Sequence, residues 1–190
     1  MRAVIGWVGV VAVVLAVACA TGCGKDCAPT SASGTEIPAN PDVTVSVVKY
    51  SALEVAVEKP KGKVVLVDFW GTFCGPCVKK FPHFVALHEK YAEKGLVCIS
   101  VTLDDADDIG KVREFLFEKK AKFPNFLIRP TNAEKPLMKQ KFNFDFTLPQ
   151  MALFGRTGER TWDSNTDGLS KELPVFMEKL DALVKAELDK

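Results

Sequence analysis

Two cysteines stand at i and i+3 in Phe73-Cys74-Gly75-Pro76-Cys77. Sulfurs at this spacing can close a small disulfide if the intervening chain turns. The residues on either side predict such a turn. Val64 to Trp70 is an apolar run, and Gly75 onward carries apolar residues at helical intervals, so the pair falls where a buried strand gives way to a helix start. The first N–H groups of a helix have no partner within it and carry the positive end of its dipole, which favours a thiolate over a thiol. Cys74, at the helix tip, is therefore expected to have the lowered pKa and to attack a disulfide. Cys77, one turn inside and more shielded, is expected to resolve the mixed disulfide that results. Pro76 suits the first turn, because its φ is preset and it has no N–H to satisfy.

The elements that must hold this pair follow from the pattern on either side of it. Val43 to Tyr50 alternates apolar and polar residues, as a half-exposed strand does. Ser51 is placed to cap a short helix through Val57, and Pro60-Lys61-Gly62-Lys63 reads as a turn. The helix from Gly75 to Lys94 has its apolar stripe at Val78, Phe81, Val85, His88 and Tyr91, and Gly95 stops it. Leu96 to Val101 is a second buried strand. Asp104, Asp105, Asp107 and Asp108 form an acidic, solvated loop that enters a helix ending near Lys120. Phe126 to Ile128 is a short strand and Ala133 to Phe142 a helix. Met151 to Phe154 and Arg160 to Trp162 pair across a Gly155–Gly158 turn. Ser170 begins a last helix, with Pro174 tolerated in its first turn. The order predicts an α/β domain over 43–190, with a central mixed β-sheet flanked by helices on both faces.

The N-terminal stretch carries a different message. Met1-Arg2 precedes an uncharged apolar run from Ala3 to Ala20, followed by Thr21-Gly22-Cys23. This has the form of an export signal over residues 1–22, though the run is also near the length of a bilayer span. A small residue before a cysteine at the end of such a signal resembles a bacterial lipobox, with cleavage before Cys23 and lipid on its sulfur. Ala20 stands where that box more often has Leu, and Cys19 is a weaker rival. A lipidated form, an uncleaved anchor and a soluble secreted form all put the domain outside the cytoplasm, where disulfides persist. Residues 23–42 are rich in Ala, Pro, Ser, Thr and Gly and read as a flexible tether in which Cys27 is an idle thiol. The whole chain of 190 residues has a formal net charge of +1. Loss of the leader removes Arg2 and leaves the two signs equal. That balance gives no reason to expect nucleic-acid binding.

With these residues in place, Val67-Asp68-Phe69-Trp70-Gly71-Thr72-Phe73-Cys74-Gly75-Pro76-Cys77 resembles the active-site segment of the thioredoxin superfamily, and Pro82 falls at that fold's helix proline. The export signal, the Gly95-Leu96-Val97 entry into Val101-Thr102-Leu103-Asp104-Asp105, and the helix before the hairpin resemble its TlpA/ResA-like branch. The resemblance spans roughly 43–190 and implies a thioredoxin fold and a thiol–disulfide oxidoreductase without a cofactor. Phe73 departs from the usual Trp, but its ring would still shield the site. The resemblance implies substrate contact by Trp70, Phe73, Gly75, Pro76, Leu148 and Pro149. It makes Pro149 a cis-proline that sets the Leu148 backbone against the disulfide; an ordinary trans proline opening a strand is the other reading. It makes Asp68 a buried base for Cys77, a role many members of the branch lack; a solvent-exposed acid at the strand end is the alternative. The implied partners are exported proteins with disulfides or thiols, such as apocytochrome c, reduced by a monomer that a membrane thiol donor recharges and a lipid anchor holds at the membrane.

Other chemistries fit less well. His83 lies six residues beyond Cys77 and His88 five beyond that, so neither completes a tetrahedral zinc site with the cysteines. Val78 follows Cys77 where haem attachment needs His. The aspartates lack the glycine and distal Glu of a calcium loop. Cys98, inside a strand, is read as a small core hydrophobe. A redox-sensitive binding module and a copper-handling protein of thioredoxin fold remain as alternatives, although the latter usually space their cysteines more widely.

Overall fold

The computed structural model describes residues 43–167 and 172–190. The leader over 1–22, the tether over 23–42 with Cys19, Cys23 and Cys27, and Ser170 lie outside the described residues. Six strands form one sheet: β1 (Ser46–Val48), β2 (Val64–Trp70), β3 (Leu96–Thr102), β4 (Asn125–Ile128), β5 (Gln150–Phe154) and β6 (Arg160–Asp163). Their order is β1-β4-β3-β2-β5-β6. β2 is parallel to β3, β3 to β4 and β4 to β1, whereas β5 runs antiparallel to both β2 and β6. The expected mixed sheet is present. The helices are α1 (Tyr50–Glu58), α2 (Gly75–Tyr91), α3 (Ile109–Glu118), α4 (Lys135–Phe142), the short α5 (Ser164–Asp167) and α6 (Leu173–Leu188).

β2 is buried along its whole length, and its residues alternate between two cores. Val64, Leu66 and Trp70 face a core built with α2, α3 and α6, through Phe81, Phe84, Leu116, Leu180 and Val184. Val65, Val67 and Phe69 face the other, built with α1 and α4 through Leu53, Val57, Met138 and Phe142. Phe69 stacks on Phe144 with ring centroids 4.2 Å apart and meets Phe142 edge-on at 5.2 Å. A sheet covered by helices on both faces explains why β2 and β3 read as continuous apolar runs rather than as alternating ones.

Several local expectations give way to tertiary contacts. The first strand is shorter than 43–50, because Tyr50 opens α1 and buries its ring in the second core. Ser51 does not cap α1. The N-cap is Lys49, without a side-chain bond, and the Tyr50 N–H instead donates to Glu134 Oε1 at 3.2 Å. In α2 the buried face is rotated from the expected stripe: Lys80, Phe84 and Leu87 point inward, while Val78 and His88 are half-buried. The helix ends at Tyr91, and one 3-10 turn, Ala92–Lys94, leads to Gly95.

Gly95 has φ 103°, in the left-handed region, and a Cβ there would meet nothing closer than 3.6 Å. Its cost of replacement is therefore conformational rather than steric. Gly95→Ala is expected to lower stability by about 1–2 kcal/mol. Gly110, in the first turn of α3 with open space around it, should behave oppositely, with Gly110→Ala raising stability by about 0.5–1 kcal/mol. Urea unfolding of both variants checks the pair; equal effects of one sign would contradict it.

Candidate active site

The site is built where β2 passes into α2. Gly71 to Cys74 bridge the two elements. The Cys74 N–H donates to Gly71 O at 3.0 Å, which closes a turn. Cys74 is then the N-cap of α2, with φ −96° and ψ 96°, and its carbonyl accepts the Val78 N–H at 3.0 Å. Its side chain faces the helix start as well: the Cys77 N–H donates to Cys74 Sγ at 3.3 Å. One of the orphan N–H groups expected from the pattern, that of Cys77, is thus aimed at the leading sulfur. Cys74 and Cys77 are joined by a disulfide with S–S 2.04 Å. Cys74 is 9% exposed and Cys77 fully buried, so an incoming group meets Cys74 first. Pro76 lies in the first turn, and Pro82 sits inside the helix, where it has no N–H to donate to Val78.

Phe73 is 68% exposed, beside the disulfide. Its ring folds back over Gly71, where an added Cβ would lie 2.6 Å from the ring edge. Glycine at position 71 thus permits a close approach that no other residue would. Gly75 and Pro76 are exposed, Leu148 and Pro149 partly so, and the Leu148–Pro149 peptide bond is cis. Leu148 packs against the core cluster that contains both cysteines. Trp70, grouped in the sequence with the substrate-contacting residues, is instead wholly buried. Its ring packs on Phe81 at 4.8 Å and Phe115 at 4.9 Å, because β2 parity turns it beneath the site.

The same parity puts Asp68 on the α2 face, fully buried, so the solvent-exposed alternative does not apply. One of its oxygens, Oδ1, takes an ion pair from Lys80 Nζ, which is also buried; the other, Oδ2, has no hydrogen-bond partner. Burial raises the Asp68 carboxyl above the ordinary carboxylate range, and the Lys80 charge pulls it back. Burial lowers the Lys80 ammonium, with Asp68 opposing. Cys98, on the neighbouring strand β3, is fully buried, and its thiol is pushed well above its usual value, first by burial and then by the Asp68 charge. Sequence reasoning missed Lys80, which looks like one of two surface lysines after Val78. The available signal was its spacing: it stands three residues after Cys77, on the same side of the helix.

Asp104 also departs from expectation. It is 2% exposed rather than solvated, whereas Asp105 and Asp107 are exposed. Among the described residues no group of three or more His, Cys, Asp or Glu could hold a metal ion. His83 is exposed, and His88 lies edge-on to Phe123 at 5.2 Å.

A four-stranded core of β3, β2, β5 and β4 with flanking helices, carrying a Cys-Gly-Pro-Cys disulfide at a helix N-terminus, defines a protein of thioredoxin fold. The Redoxin family model matches residues 33–158, and the chain belongs to that family. One similar relative is "Thiol-disulfide oxidoreductase ResA" of Bacillus thuringiensis (strain Al Hakam), 38% identical over 71 residues, which are 37% of this chain and 40% of that one. "Thioredoxin" of Coprinus comatus is 42% identical over 50 residues, 26% of this chain and 47% of that one. The matches thus span less than half the length of these curated relatives. Among solved structures, a Chlorobium tepidum protein assigned as thiol:disulfide interchange protein DsbE is 27% identical with TM-score 0.54, over 70% of this chain and 84% of that one.

The Asp68–Lys80 pair generates a stability prediction. Lys80→Met leaves a buried carboxyl without its cation, at an expected cost of about 3–5 kcal/mol at neutral pH. In that variant the folded pKa of Asp68 stands further above its unfolded value. The loss is therefore largest above the folded pKa and shrinks as pH falls through it, where the carboxyl is protonated. Asp68→Leu combined with Lys80→Met should recover most of the stability. Urea unfolding at pH 5 and pH 8 checks both points, and a deficit identical at the two pH values would refute the first.

Proposed function

We propose that this chain is a thiol–disulfide oxidoreductase that exchanges disulfides with exported proteins in the reducing direction. The observation that carries the reading is the disulfide at the α2 N-terminus, with the Cys77 N–H directed at Cys74 Sγ. In the reduced enzyme the same N–H faces a thiolate and stabilises it. The Cys74 thiolate attacks one sulfur of a substrate disulfide, forming a mixed disulfide and releasing the other sulfur as thiolate. Cys77, deprotonated, then attacks Cys74 Sγ, closes the internal disulfide and releases the second substrate sulfur. Two electrons pass from the enzyme dithiol to the substrate. An external dithiol, here a membrane thiol donor, restores the reduced pair.

Asp68 is assigned as the base for Cys77. Its burial supports this role, because burial raises the carboxyl, against the pull of Lys80, and makes the carboxylate a better proton acceptor than an ordinary one. Phe73, Gly75, Pro76, Leu148 and Pro149 are assigned as the substrate surface, with the exposed Phe73 ring as its apolar contact. The names of the similar proteins support the reaction class. An exported thiol protein such as apocytochrome c fits as substrate, and lipid on Cys23 would hold the enzyme at the membrane. Among the described residues no helix is long and apolar enough to cross a membrane.

The full chain with dithiothreitol should precipitate insulin faster than the reagent alone, and Cys74→Ser should abolish the difference. Cys77→Ser should accumulate mixed disulfides with several exported proteins, visible on non-reducing gels and lost on reduction. An unchanged insulin rate in Cys74→Ser would remove the enzymatic reading. The anchor is checked separately: fatty-acid labelling of the expressed chain should vanish in Cys23→Ala, and persistent labelling would exclude Cys23 as the lipidated residue.

A further inference from the structure

The segment that delivers Cys74 to the helix tip is held from a second direction. Asp104 follows β3, and its buried carboxyl accepts three donors from two elements. The Thr72 N–H reaches Oδ2 at 3.0 Å and Oδ1 at 3.2 Å. The Thr72 hydroxyl donates to Oδ1 and the Thr102 hydroxyl to Oδ2. The backbone adds a parallel tie, since the Leu103 N–H donates to Trp70 O at 3.0 Å, and the Asp104 N–H returns to Thr102 Oγ1 at 3.3 Å. Thr72 lies inside the Gly71–Cys74 turn, between the glycine that receives the Phe73 ring and the cysteine itself. Without the Asp104 carboxylate the segment would rest on the Leu103–Trp70 tie, the turn's own backbone bond and the ring contact.

We propose that Asp104, acting through Thr72, is a positioning residue that clamps the Gly71–Phe73 segment to the end of β3 and so holds Cys74 Sγ against the Cys77 N–H in the first turn of α2. This deepens the oxidoreductase reading and rests on it. The clamp touches neither sulfur. It acts by limiting how far the N-cap can drift from the helix start. A hydrogen bond to sulfur that is not held in place does less to stabilise a thiolate.

A positional role and an electrostatic one differ in sign. A carboxylate acting through its charge would repel the Cys74 thiolate, so its removal would make Cys74 more reactive. Loss of the clamp should make Cys74 less reactive. The experiment is site-resolved alkylation of the reduced full chain with iodoacetamide between pH 5 and pH 9, read by mass spectrometry at Cys74. Asp104→Ala and Thr72→Val should each slow Cys74 alkylation near pH 6 by about threefold to tenfold, the worth of a lost buried hydrogen bond. Asp104→Asn should stay within about twofold of the parent, because its amide oxygen still accepts from Thr72 and its NH2 can donate to the Thr102 hydroxyl. Faster or unchanged alkylation in Asp104→Ala would overturn the clamp, as would an Asp104→Asn variant as slow as Asp104→Ala. Should Asp104→Ala lose its fold by circular dichroism, Thr72→Val decides alone: a slower Cys74 supports the clamp and an unchanged one overturns it. A parent chain whose Cys74 reacts like a free cysteine would overturn the oxidoreductase reading and the clamp together.

Discussion

The hydrogen bond from the Cys77 N–H to Cys74 Sγ is where the fold and the chemistry meet. It exists because a strand buried on both faces ends directly before a helix, with only a tight turn between them. β2 cannot shift without dragging two cores, since Leu66 and Trp70 are locked on one side and Val67 and Phe69 on the other. α2 cannot rotate freely, because Phe81, Phe84 and Leu87 are fixed in the first core. The position of one sulfur is thus defined by the packing of the whole central layer, and close packing transmits little slack to it.

The burial of Asp68 and Lys80 is harder to justify on stability alone. Each ion gives up hydration worth several kcal/mol, and their attraction repays this only when the remaining polar atoms are satisfied. Here Asp68 Oδ2 has no partner. An apolar pair of similar volume would fill the same space without that cost. The pair lies on the face of β2 that α2 covers, on the same side of the helix as Cys77, and its carboxylate adds to the burial that raises the thiol of Cys98 on the neighbouring strand. A costly charge pair buried on the Cys77 side of the helix fits the proposed role of Asp68 in the resolving step.

Much of the fold was legible beforehand, and the misses have common causes. β2 and β3 were recognisable as uninterrupted apolar runs, and the Gly155–Gly158 hairpin by its turn residues. The start of α1 was not, because its first N–H is met by Glu134, eighty-four positions away, rather than by a local cap. The face of α2 was misjudged by part of a turn, since Val78 and His88 are apolar or amphipathic enough to look buried while Lys80 is not. Trp70, which the family resemblance groups with the substrate-contacting residues, is turned inward by strand alternation.

Sequence by itself determined the reactive pair and its setting: two cysteines separated by Gly-Pro, preceded by a strand and followed by a helix. Those are local properties, carried by residue type and periodicity over a few turns of chain. Tertiary structure alone decided which partners the charged groups behind the pair would meet. Lys80 meets Asp68, and Asp104 meets Thr72, across separations of 12 and 32 residues. Such meetings depend on which face of a strand or helix each residue occupies once the layers have packed, and an acidic or basic side chain looks the same in sequence whether packing buries it or leaves it in water.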